Sequence, residues 1–168
     1  MTDRRLLGPG FPGDAGRADP ALRDALTAYA ASPARYADAL TVLAAARLLV
    51  PVVAVLGEVE VDEAGLTHDK TSDMAAVMLE GADGRVAMLA FTGTDSLAAW
   101  DPEARPVPVT SVMAAQAARQ EGAAALVVDV AGPVAFVVEG DDLTGIAAEW
   151  ALTTVAGRSA WLRPAGDG

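Results

Sequence analysis

Thr92-Gly93-Thr94-Asp95-Ser96 is the stretch of this chain whose residue types could best meet a ligand. Three hydroxyls and a carboxylate stand where an apolar run passes through a glycine into a helix-like segment ending at Trp100. Backbone N–H groups at such a helix start can receive an anion. Neither a Walker-type phosphate loop nor a dinucleotide fingerprint is present, however, and no lysine lies nearby. Asp95, in the first helical turn, already complements the helix dipole and would repel phosphate. Thr94 reads as an ordinary N-cap. Thr92, Thr94, Asp95, Ser96 and Trp100 therefore form a candidate binding set, for a protein partner or a small ligand.

The other chemistry-bearing residues have weaker claims. His68 is the only histidine, so any Ser-His-Asp or metal-histidine scheme would have to use it. It sits in the polar run Gly65–Asp73, where an imidazole lacks the held geometry that acid–base work requires. Glu58, Glu60 and Asp62 alternate with Val59 and Val61, which places three acids in a row on one strand face. With Glu63, Asp69 and Asp73 they could meet a hard cation. Their spacing matches no calcium loop, and a solvated strand end accounts for them. Nothing selects a pair of carboxylates for glycoside cleavage among the 23 acids. No catalytic residue, metal or cofactor is assigned. Trp100 and Trp150 read as half-buried core, and Trp161 reads equally as core or as an interface anchor.

The elements that must position these residues can be read from patterning. Asp19-Pro20 is a helix start, with Asp as cap and Pro at the first helical position. Leu22, Leu26, Tyr29, Pro33, Tyr36, Leu40, Leu43 and Arg47 recur at helical spacing, with a break expected at Ser32-Pro33. The helix is expected to end near Leu48, and a buried strand to run from Leu49 towards Val61. Met74–Glu80 and Arg85–Thr92 read as a hairpin turning at Asp83-Gly84, followed by the helix Thr94–Trp100. Asp101–Pro108 is Pro-rich and extended. Thr110 or Ser111 caps a helix through Glu121, ended by Gly122, with Val112 and Ala115 facing inward. Ala125–Val130 and Val134–Glu139 form a second hairpin. Leu143–Trp150 is a short helix capped by Asp141 or Asp142.

These elements give one α+β domain, with a mixed sheet of about five strands and helices on it. Residues 1–18 read as a disordered tail, 19–152 as the domain, and 153–168 as a partly loose C-terminal segment. A chain of 168 residues suffices for one core.

Charge narrows the partners. The net charge is −11, and Arg4-Arg5 is the longest basic run, so neither nucleic acid nor an anionic membrane surface is an expected partner. Ala37–Leu56 is long enough to cross a bilayer. Arg47 at its middle costs about 3 kcal/mol there, and Pro51 breaks the helix, so a span is not expected. The chain has no cysteine. That excludes disulfides, thiolate nucleophiles and Cys-ligated zinc, and it fits a cytoplasmic protein. A sheet edge leaves homodimerisation open. Heavy use of Ala, Gly, Val and Arg suggests a GC-rich bacterial genome.

Three segments carry a resemblance to a known family. They are SPARYADALTVLAAARLLVPVV (Ser32–Val53), GRVAMLAFTGTDSLAAW (Gly84–Trp100) and LVVDVAGPVAFVV (Leu126–Val138). In this order they resemble the N-terminal domain of the SseB family of bacterial proteins, in its actinobacterial branch, over roughly residues 20–150. The family is named for an effect on serine sensitivity and has no accepted catalytic residues to carry over. The family's biochemical role is not settled. The lack of cysteine, the solitary loop histidine and the missing phosphate loop make the leading expectation a non-enzymatic cytoplasmic interaction or regulatory module with an unidentified protein partner. A sensor for an amino-acid-like metabolite is the alternative reading, and a small hydrolase using His68 is a third.

Overall fold

Asp19 accepts a hydrogen bond from the Ala21 N–H at 2.8 Å, and Pro20 opens helix α1 (Pro20–Ala31), as the sequence predicts. In this computed structural model, which describes residues 11–56, 60–61, 67–68 and 72–166, Ser32-Pro33 then breaks the helix. A single 3₁₀ turn (Pro33–Arg35) leads into α2 (Tyr36–Ala44). Leu22, Leu26, Leu40 and Leu43 form the buried stripe that their spacing implies. Tyr29 and Tyr36 both pack on Phe136, with ring centroids 5.1 and 4.9 Å away.

Helix α2 ends earlier than expected. Ser111 explains the stop: its hydroxyl donates to the carbonyls of Leu43 (2.6 Å) and Ala46 (3.0 Å), and its N–H also reaches Ala46. These bonds hold the turn that follows α2, in which the Leu43 carbonyl also accepts the Ala46 N–H at 3.0 Å. Arg47 consequently opens strand β1 (Arg47–Leu56) instead of closing a helix.

Strands β2 (Glu60–Val61) and β3 (Thr67–His68) pair antiparallel. The expected strand Met74–Glu80 is two strands, β4 (Ser72–Ala76) and β5 (Met78–Glu80), divided at Val77. The first half pairs with β1 and the second with β6 (Val86–Ala90), so one run of chain serves two sheets. Gly84 takes a φ of 77° in the β5–β6 turn, as the Asp83-Gly84 reading requires. Leu49 and Phe91 exchange backbone hydrogen bonds at 2.7 and 2.8 Å, which stitches β1 to the end of β6.

Helix α3 (Thr94–Trp100) is capped by Gly93, and Thr94 is its first residue, not the N-cap that the sequence suggests. The extended Pro-rich stretch becomes β7 (Arg105–Thr110), which pairs with β1. As an edge strand, β7 tolerates Pro106 and Pro108. Thr110 caps α4 (Ser111–Gln120) by accepting from the Met113 N–H at 3.1 Å. The inner side of α4 is Ser111, Ala114, Ala115 and Ala118. Strand β8 (Ala125–Val128) lies parallel to β6 and antiparallel to β9 (Phe136–Glu139).

Helix α5 (Gly140–Ala147) starts with Glu139 at its cap position, so Asp141 and Asp142 lie in its first turn and neither caps it. Asp142 is engaged elsewhere, accepting from the Tyr36 hydroxyl (3.1 Å), the Ser159 hydroxyl (3.1 Å) and the Trp161 indole N–H (2.9 Å). Beyond α5, where no element was legible, β10 (Ala151–Val155) and β11 (Arg158–Leu162) form a hairpin. Its anchor is Trp161. A Cβ added at Gly145 would lie 2.2 Å from the Trp161 ring, so only glycine lets the indole lie on α5.

The result is a single α+β domain, with eleven strands among the described residues where about five were expected. Splitting at Val77 and the short hairpins account for most of the difference. Met88, Ala90, Leu126, Val128, Phe136 and Val138 join Leu22, Leu26, Leu40 and Leu43 in the main core. A smaller cluster of Leu49, Leu89, Phe91 and Leu97 has Trp100 against it. Among the described residues, no helix is long and apolar enough to cross a membrane.

Candidate functional site

The parallel strands β6 and β8 end side by side, and the residues just beyond them face each other. Asp129, immediately after β8, is only 3% exposed and holds a left-handed φ of 55°. Its carboxylate accepts the Thr92 N–H at 2.9 Å and the Thr92 hydroxyl at 2.8 Å. The Asp129 N–H in turn donates to the Ala90 carbonyl at 3.0 Å. A buried carboxylate needs such donors, because an unpaired one would carry a large desolvation cost. Ser96 completes the cluster. Its hydroxyl donates to the Gly93 carbonyl at 3.0 Å and lies 3.5 Å from the Thr92 hydroxyl.

Residues 11–18, expected as part of a loose tail, lie over this strand end. Two contacts hold them. The Gly16 carbonyl accepts the Thr94 N–H at 2.7 Å, satisfying one of the donors that a helix start leaves open. Gly93 permits the approach, since a Cβ there would stand 2.6 Å from the Ala18 nitrogen. The second contact is Arg47. Its Nε meets Asp14 Oδ2 at 2.8 Å and its Nη2 meets Asp14 Oδ1 at 3.1 Å, a bidentate pair. The same guanidinium donates to the Thr92 carbonyl at 3.0 Å and to the Arg17 carbonyl. Arg47 thus joins the N-terminal segment, β1 and the end of β6.

Between this segment, α1 and the strand ends lies a cleft of about 930 Å³. Thr92, Ser96 and Asp129 line its polar part, Leu26, Pro133 and Val134 its apolar part, and Arg17, Arg23 and Asp95 its charged part. Crevices beyond the carboxyl ends of parallel strands are where open α/β sheets bind ligands. The volume falls in the range of small-molecule sites.

The candidate residues divide accordingly. Thr92, Thr94, Asp95 and Ser96 all border the cleft, with Thr94 and Asp95 exposed and Thr92 and Ser96 buried. Trp100 is not brought to it. Its ring lies 5.6 Å from Phe91 on the smaller core cluster, and Phe91 itself is fully buried. Sequence reading missed Asp129 and Arg47. Arg47 was visible as the charge ending an apolar stripe, whereas Asp129, the one acid inside Leu126–Val130, carried no signal that links it to Thr92.

His68 pairs in backbone register with Glu60, and its side chain lies outside the described residues. Glu58, Asp62, Glu63 and Asp69 also fall outside them. Among the described residues, no group of three or more His, Asp or Glu side chains could hold a metal ion.

Comparison with curated proteins and with solved structures gave no match. A family model, the SseB protein N-terminal domain, matches residues 22–145 and so spans most of α1, strands β1 to β9, the Thr92–Asp129 junction and most of α5, but not the β10–β11 hairpin. On that match the chain belongs to the SseB family.

Proposed function

We propose that the protein is a non-enzymatic regulatory module of the cytoplasm, whose cleft between residues 11–19 and the ends of β6 and β8 receives a small amino-acid-like metabolite. The observation that carries this reading is the cleft's composition. Arg17 and Arg23 can meet a carboxylate, Asp95 an ammonium, and Leu26, Pro133 and Val134 an aliphatic side chain. The polar groups at its floor are engaged with one another. The Ser96 hydroxyl is held by Gly93, and Asp129 by Thr92. Among the described residues the Ser96 hydroxyl meets only the Thr92 hydroxyl and the Gly93 backbone, with no base in hydrogen-bond contact to activate it, which favours binding over hydrolysis.

Thermal unfolding of the full chain, against serine and related amino acids, tests the reading. A true ligand adds about 2–3 kcal/mol at a hundredfold excess over its Kd. Arg23→Glu removes that gain while leaving the unliganded melting temperature unchanged. Silence across the panel overturns the reading.

The exposure of Thr94 and Asp95 supports a second reading, in which this rim meets a partner protein. Asp95→Arg then abolishes capture of the partner without moving the melting temperature. Equal capture by the variant removes that surface from consideration.

A further inference from the structure

Beside α5 and the β10–β11 hairpin lies a second concavity, of about 650 Å³, lined by Asp141, Asp142, Trp150, Ser159, Trp161 and Arg163. Its two indoles reach it by different routes. Trp161 is fixed: its N–H is bound by Asp142 at 2.9 Å and its ring lies against Gly145. Trp150 stands three residues beyond the end of α5, where its backbone N–H donates to the Gly145 carbonyl at 3.0 Å. In the β10–β11 register Leu152 stands opposite Trp161 and Ala151 opposite Leu162, and continuing the alternation one residue further puts Trp150 and Arg163 on the face of Trp161. The Arg163 guanidinium lies over the Trp150 ring, 5.7 Å from its centroid.

The charge of this site is lopsided. Asp142 accepts three hydrogen bonds, all from neutral donors: a phenol, a hydroxyl and an indole. Asp141 stands beside it, exposed. Among the described residues neither acid has a basic side chain in ion-pair contact. Two carboxylates beside two indole faces make an environment that attracts a cation both by charge and by the ring quadrupole. Arg163 already uses one of those faces, at the edge of the site.

We propose that Trp150, Trp161, Asp141 and Asp142 form a binding site for an organic cation of the guanidinium or alkylammonium class, with Arg163 as its internal competitor. The cation stacks on Trp150 in the place that Arg163 takes in the free protein, and its charge meets Asp141 and Asp142. The site lies apart from the cleft at the ends of β6 and β8, shares no residue with it, and stands whatever that cleft binds.

The test is titration of the full chain with arginine methyl ester, followed by the indole N–H resonances of Trp150 and Trp161. Acetamide serves as the uncharged control. Both indoles shift with the cation in a saturable way, and the shift weakens as salt is added. Arg163→Ala binds roughly two- to fivefold tighter, because an exposed cation–π competitor has been removed. Trp150→Leu loses the response. Asp141→Asn, at an exposed position that leaves the fold untouched, weakens it and so decides the matter should Trp150→Leu disturb the hairpin. Unmoved indoles, an equal response to acetamide, or identical affinity in Arg163→Ala and the parent overturn the proposal. A blocked tri-arginine peptide in a parallel titration separates the sources. Affinity rising only in proportion to its guanidinium groups identifies a free small cation, and a larger gain identifies a basic peptide segment.

Discussion

Asp129 and Thr92, 37 residues apart, are joined through both oxygens of one carboxylate, to the N–H at 2.9 Å and to the hydroxyl at 2.8 Å. The pair closes the ends of the only parallel strands among the described residues, β6 and β8. It also fixes the backbone just before Gly93, where α3 begins and where residues 16–18 come down onto the strand ends. One buried acid therefore sets the floor of the cleft and the seat of the segment above it.

Two replacements of Asp129 separate its charge from its hydrogen bonds and backbone conformation. Asp129→Ala leaves the buried Thr92 N–H without a partner and puts a residue with no side-chain compensation at a left-handed φ. Together these cost about 2–4 kcal/mol. Asp129→Asn tolerates that φ and keeps both bonds, its oxygen accepting the N–H and its amide donating to the hydroxyl. It loses only the charge assistance, about 1 kcal/mol. Urea unfolding of the two variants should show this order. Equal losses would mean that the carboxylate charge, which both variants lack, outweighs the hydrogen bonds and the backbone conformation.

Arg47→Met tests whether the N-terminal segment is held by the guanidinium. The ion pair with Asp14 is largely shielded from water, with side-chain exposures of 12% and 19%. Its loss should be worth about 2 kcal/mol locally, or roughly a 30-fold faster amide exchange over residues 14–18. The core amides of β6 and β8 should keep their protection. The methionine retains the apolar stem, so packing along β1 survives. Unchanged exchange at Gly16 would show that the Thr94–Gly16 bond alone suffices.

Where the sequence was legible, one local force acted alone. Asp19-Pro20, Ser32-Pro33, Asp83-Gly84 and Thr110 each mark an element boundary by their own conformational chemistry, and the fold follows them. The boundaries that moved were decided by distant partners. Ser111 ends α2 from 65 residues away, and the Ala18 backbone makes Gly93, not Thr94, the place where α3 turns. The C-terminal hairpin was illegible for the same reason. Thr153–Leu162 has no amphipathic pattern strong enough to announce strands, and it is held by Trp161 on the bare backbone of Gly145. At the site, Thr92 through Ser96 could be found from the strand-to-helix transition. Asp129 could not be found, because nothing in one sequence says that two strand ends are neighbours.

The same long-range dependence makes stability sensitive to alkali through Tyr36. Its hydroxyl lies 3.1 Å from Asp142 Oδ2 and 3.2 Å from the Val137 carbonyl. Burial, and then the Asp142 carboxylate, push the phenol well above its ordinary value. Below the unfolded value, about pH 10, both states hold the proton and the contribution is fully present. Above it the unfolded chain releases its proton first, so stability is lost as pH rises towards the folded value. Tyr36→Phe should cost about 1 kcal/mol at neutral pH for the lost hydrogen bond, yet flatten the alkaline decline. Urea midpoints of parent and variant should therefore converge as the pH is raised from about 8 to about 11. Parallel curves would show that Asp142 keeps the hydroxyl in place without perturbing its proton, and the coupling between α2 and α5 would then be one of packing alone.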